Sequence, residues 1–170
     1  MIHSGYSFNF IHTKAIKEKY HLREHKYAFK TRLNKRYIVN VEEYQHKLFV
    51  IKFYLKSHEH SKNKYNLLAN NGDAFRILST CVNIILHTLA KTPTASFGFI
   101  GEHSIGEEKN NTQRFRIYKR VTENYFPADK FEHALNVENS SYLILNKKNK
   151  TENLKEKAQV MFNQIYLGLE

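Results

Sequence analysis

The sequence predicts a mixed α/β fold: a single mixed, mostly antiparallel sheet with helices on both faces. Three observations carry that expectation. Two apolar runs, residues 37–44 and 48–55, are separated only by Gln45-His46-Lys47, a hairpin length. Residues 74–90 are apolar almost all round, the pattern of a buried helix. Residues 96–101 form a tight apolar run that gives way to an acidic loop and then to a helical pattern. A strand, a polar loop at its C-terminal end and a helix therefore follow one another.

Taken in order, residues 6–11 read as an aromatic-rich strand. Thr13 then caps a helix over residues 14–33, whose Ile16, Tyr20, Leu22, Tyr27, Phe29 and Leu33 form a broad stripe; Asn34-Lys35-Arg36 breaks it. In the hairpin that follows, the first strand alternates in part. The second is almost continuously apolar, which places it centrally, covered on both faces.

Residues 56–64 contain no apolar side chain and read as a surface loop. Its His58-Glu59-His60 has zinc-ligand residue types but no Cys or His-x-x-His to complete a set, so no metal is expected. Residues 65–68 read as a short strand. Asn70-Asn71-Gly72 is turn chemistry, and Asp73 is the N-cap of the helix over 74–90, which ends ahead of Pro93.

Beyond the strand 96–101, Asn110-Asn111-Thr112 opens a helix that runs to Tyr125 and stops before Pro127. It carries Phe115, Tyr118, Val121, Thr122 and Tyr125 on one face, and Arg114, Arg116, Lys119 and Arg120 mostly on the other. Strands 131–137 and 141–145 are joined by Glu138-Asn139-Ser140. After a polar linker, Thr151 opens a last helix with Leu154, Ala158, Met161, Phe162 and Ile165. This mixed order of elements argues against a doubly wound parallel sheet.

The 170 residues suffice for one domain, with 147–170 a C-terminal linker and helix. A hydrophobic fraction of 41% and an aromatic fraction of 14%, without Trp, suit a globular chain. No apolar stretch approaches bilayer length, the N-terminus lacks a secretory pattern, and Cys81 stands alone in an apolar helical run. A cytoplasmic protein of bacterial or phage type, without membrane attachment, is expected. The sequence carries no signal of oligomeric state. No Gly-x-Ser-x-Gly elbow, Walker-type loop or Gly-x-Gly-x-x-Gly occurs.

The formal net charge is +11. Residues 11–36 hold nine basic side chains against Glu18 and Glu24, a local charge of +7. Such clustering is the footprint of a polyanion partner, or else the solvated face of a Lys-rich chain. On the first reading Lys17, Lys26 and Lys30, with Arg114, Arg116 and Arg120, would contact nucleic-acid phosphates, and interleaved Tyr20, Tyr27 and Phe29 would stack on bases.

The order of elements resembles the GNAT-type acyl-CoA N-acyltransferases over roughly residues 6–146. In that family a Gln/Arg-x-x-Gly-x-Gly/Ala turn opens a helix whose amides hold the coenzyme A pyrophosphate. Ala69-Asn70-Asn71-Gly72-Asp73-Ala74 aligns with it: Gly72 and Ala74 match, and Ala69 does not. The resemblance implies acetyl-CoA or another acyl-CoA as donor, held at Asn71, Gly72, Ala74 and Asn111. It also implies the amine of a small molecule or protein as acceptor, and Tyr118 as the acid that protonates the departing thiolate. A base for the amine is then required, and Glu102 and His103, at the end of the strand 96–101, have the right chemistry. The alternative is a non-catalytic, basic nucleic-acid- or protein-binding module on a similar scaffold.

Overall fold

The computed structural model describes residues 4–67 and 72–168. In chain order it contains β1 (Phe8–Ala15), β2 (His21–Lys30), β3 (Arg36–Tyr44), β4 (Leu48–Leu55), α1 (Ala74–Lys91), β5 (Ser96–Ile100), α2 (Gln113–Tyr125), β6 (Phe131–Asn136), β7 (Ser141–Asn146) and α3 (Leu154–Phe162). All seven strands join one sheet in the order β1-β2-β3-β4-β5-β7-β6. Among the described residues β4 and β5 pair in parallel, and every other neighbouring pair is antiparallel. No helix among the described residues is long and apolar enough to cross a membrane.

The alternation of side chains assigns the two faces. Phe49, Ile51 and Phe53 of β4, with Phe97 and Phe99 of β5, face α1 and α2 in the larger core. Leu48 and Val50 point the other way and join Leu143, Leu145, Ala158, Met161 and Phe162 beneath α3. The central strand is thus apolar on both sides, as its sequence predicts, and the mixed sheet carries helices on both faces. Gly98 lets α3 approach: a Cβ there would lie 2.9 Å from the Phe162 ring and 3.1 Å from Val50 Cγ2.

The segment read as a helix over 14–33 is instead most of the β1–β2 hairpin. Tyr27 and Phe29 pair with Val39 and Tyr37 and enter the core, while Ala28 between them joins Ile38 and Tyr54 on the opposite face. That period of two wins over a helical stripe weakened by its charged positions, because β3 offers the aromatic rings a partner. Phe29 stacks on Tyr37 at 5.3 Å. Thr13 accordingly caps no helix: its Oγ1 meets His25 Nδ1 at 2.8 Å. The expected strand at 65–68 is, over its described part, a 3-10 turn spanning Lys64–Asn66; Leu68 lies outside the described residues.

Other boundaries follow the sequence closely. Gln45–Lys47 forms the hairpin turn with His46 and Lys47 at positive φ. Thr112 caps α2, its Oγ1 accepting from Phe115 N–H at 3.2 Å while donating to the Gly101 carbonyl at 2.5 Å. Asp73 occupies the N-cap position of α1, yet its carboxylate makes no capping bond and instead accepts from the Tyr6 hydroxyl at 2.5 Å.

Candidate functional site

The parallel register of β4 and β5 runs from Leu48↔Ser96 to Ile51↔Phe99 and stops, while β4 continues alongside β3 to Leu55. At that parting a cleft of about 390 Å³ opens, lined by Lys52, Asn66, Ile100, Gly101, Glu102, His103, Lys109, Asn139, Ile165 and Tyr166. Its place, beyond the carboxyl ends of parallel strands, is where α/β sheets bind ligands.

One wall is a polar cluster. Glu42 of β3, only 8% exposed, accepts hydrogen bonds from the hydroxyls of Tyr44 and Tyr166, which lie 2.6 Å apart. Burial, reinforced by the Glu42 charge, raises both phenols above their ordinary range and keeps them protonated donors. The Lys52 ammonium sits 3.9 Å from the Glu42 carboxylate and over the rings of Tyr65 and Tyr166, at 4.9 and 4.6 Å.

The opposite wall is the loop between β5 and α2. Close packing at Gly101 starts it, since a Cβ there would meet Phe115 Cβ and backbone N at 2.5 and 2.6 Å. Ser140, in the β6–β7 turn, ties the loop down: its carbonyl accepts from Gly101 N–H at 2.8 Å, and its Oγ accepts from Thr112 N–H at 2.9 Å. The Glu107 carboxylate accepts from the N–H groups of Ser104 and Gln113, both at 3.0 Å. From the side of β4, Asn66 Nδ2 reaches across to the His103 carbonyl at 2.9 Å.

Glu102 and His103 therefore both line the cleft, half-buried. Tyr118 does not. It is 2% exposed, its ring 4.7 Å from Phe99 and its hydroxyl against Cys81 of α1, and burial drives its pKa well upward. Gly72 (at positive φ) and Ala74 stand at the start of α1 as expected, and Asn71 lies outside the described residues. Asn111 is exposed at positive φ and donates from its backbone to the Val137 carbonyl. Around His58-Glu59-His60, the Glu59 carboxylate accepts from Lys56 Nζ at 2.5 Å.

The basic residues do not form one patch. Lys17 is exposed in the β1–β2 turn. Lys26 and Lys30 share the sheet face of Ala28, whereas Arg116 and Arg120 are exposed on α2, which packs on the other face. Arg114 is not a surface cation at all: it is 3% exposed, because the first turn of α2 rolls it inward against Phe53.

Lys52, Glu42 and Tyr166 are absent from the sequence-derived site. One signal pointed to the first of them, as Lys52 is the single charge in Leu48–Leu55. Tyr166 carries no local mark. No protein-family model, curated protein or solved structure matches this chain.

Proposed function

We propose that the chain is a GNAT-like acyltransferase that moves an acyl group from coenzyme A to an amine. The observation that carries this reading is the parting of β4 and β5 into a cleft, the space a pantetheine arm needs between two parallel strands. The start of α1 supports it. With Asp73 turned to Tyr6, no side chain caps the helix, and its first-turn amides and positive dipole end suit a pyrophosphate.

In the cleft, Glu102 or His103 takes the proton of the acceptor amine as its nitrogen attacks the thioester carbonyl. The C–N bond forms, the Lys52 ammonium stabilises the developing oxyanion, and the C–S bond breaks. The proton taken up by Glu102 or His103 then passes to the departing thiolate, because Tyr166 holds its hydrogen against Glu42 and Tyr118 lies in the core. The acceptor is a small-molecule or protein amine.

The direct test is thermal unfolding of the full chain with and without acetyl-CoA. A ligand that binds the native state at 100 times its Kd stabilises it by about 2.7 kcal/mol, a rise of several degrees. An unmoved melting temperature at millimolar acetyl-CoA rejects the reading.

A further inference from the structure

Arg114 is a buried cation with two of its three nitrogens unpaired among the described residues. Its Nη1 donates to the Tyr65 carbonyl at 2.5 Å, and its guanidinium carbon lies 5.0 Å from the centre of the Phe53 ring. Nε and Nη2 are buried, and neither has a hydrogen-bond partner among the described residues. No carboxylate among the described residues lies within 4.0 Å of it; the Tyr118 phenol acts on it from the core and, after it, the Glu102 charge from the cleft wall.

The two idle donors share one edge of the guanidinium, the edge that grips two coplanar oxygens at once. This protein uses the same edge elsewhere: Arg23 Nε and Nη2 hold the two Glu43 carboxylate oxygens at 2.9 and 3.1 Å. A buried guanidinium with two nitrogens unpaired opposes folding, so the fold retains Arg114 at a cost. Its place explains what it serves. It sits in the first turn of α2 and binds the turn that carries Asn66 into the cleft, with the Glu102 charge close by.

We infer that Arg114 is the receptor for an oxyanion of a ligand, a phosphate or a carboxylate, that enters where β4 and β5 part and closes on its Nε–Nη2 edge. Access runs past the Lys64–Asn66 turn, which meets the rim of this region through the Tyr65–Arg114 and Asn66–His103 hydrogen bonds while the Tyr65 ring packs on Tyr54. The inference does not depend on acyl transfer. A phosphate response without an acetyl-CoA response removes the transferase reading and leaves this one standing.

The experiment uses the full chain at constant ionic strength, titrated separately with sodium phosphate, sodium acetate and, as control, sodium chloride. The readouts are the melting temperature and the Arg114 ¹⁵Nε resonance. Wild type should respond to phosphate or acetate beyond chloride in both, and the stronger of the two names the phosphoryl or the carboxylate ligand. Arg114→Met, which fills the site without charge, should melt above ligand-free wild type and lose the anion response. Arg114→Lys should keep the charge but lose most of the response with the fork. Should Arg114→Met melt below wild type or fail to fold, the guanidinium is a structural group and the inference fails. An Nε resonance that ignores both anions overturns it as well.

Discussion

Tyr166, near the C-terminal end of the described chain, donates its phenol hydrogen to the Glu42 carboxylate, 124 residues earlier in sequence. Tyr44 donates to the same oxygen from the same strand as Glu42. The bond closes the turn that follows α3 against β3 and thereby forms one wall of the cleft, so a residue with no local mark in the sequence becomes part of the candidate site.

Removing that hydroxyl should loosen the wall without unfolding the protein. Tyr166→Phe is expected to lower stability by about 1.5–3 kcal/mol, the range for a hydrogen bond to a charged group. Urea denaturation measures it, and an unchanged midpoint would mean that the turn does not rest on this bond.

Lys52 lines the cleft and Tyr118 does not. If acyl transfer is observed, Tyr118→Phe should leave turnover nearly unchanged, because its hydroxyl lies in the core against Cys81. Lys52→Met should lower kcat on the order of 100-fold, as loss of an oxyanion donor does. Steady-state kinetics of the two variants side by side would reverse these roles if Tyr118→Phe proved the more damaging.

Alkaline pH should find the core before the surface. Burial pushes the Cys81 thiol from 9.0 up to about 12. The unfolded chain therefore releases this proton above pH 9, and the folded chain holds it until about pH 12. The associated stability is complete below pH 9 and falls by about 1.4 kcal/mol per pH unit above it. Tyr65, raised to about 12 by burial, adds to the decline only above its ordinary 10.0. Urea midpoints between pH 8 and 10 should fall for wild type and stay flatter for Cys81→Ala, whose stability at pH 8 is lower from the start.

Two glycines set how closely helices approach β5. Gly98→Ala pushes on the Phe162 ring and the Val50 and Leu143 side chains, a clash that repacking relieves at about 1–3 kcal/mol. Gly101→Ala meets the backbone of Phe115, 2.6 Å from its nitrogen, which cannot yield without moving α2. The second variant should be the more destabilised in thermal melts, and equal melting temperatures would contradict the packing described here.

The hairpin of β3 and β4, the burial of α1, the opening of α2 near residues 110–112 and the apolar stripe of α3 from Leu154 to Phe162 were all legible in the chain, because each is written in spacing between near neighbours; Ile165, expected on that stripe, lies beyond α3 and is exposed. So was the candidacy of Glu102 and His103, which follow directly on β5. What only the tertiary structure decided is which elements meet. The hairpin of β1 and β2 prevailed over a helix because β3 lies beside Tyr27 and Phe29. Ser96 lies 48 residues beyond its β4 partner Leu48, and nothing local announces that pairing or its end at Ile51. Arg114 and Tyr118 share a helix with exposed cations, and both turn inward because α1 and β4 stand there to cover them. Periodicity records which side chains seek the core; the partner that completes the core, and the gap left where two strands part, arise only when distant segments pack.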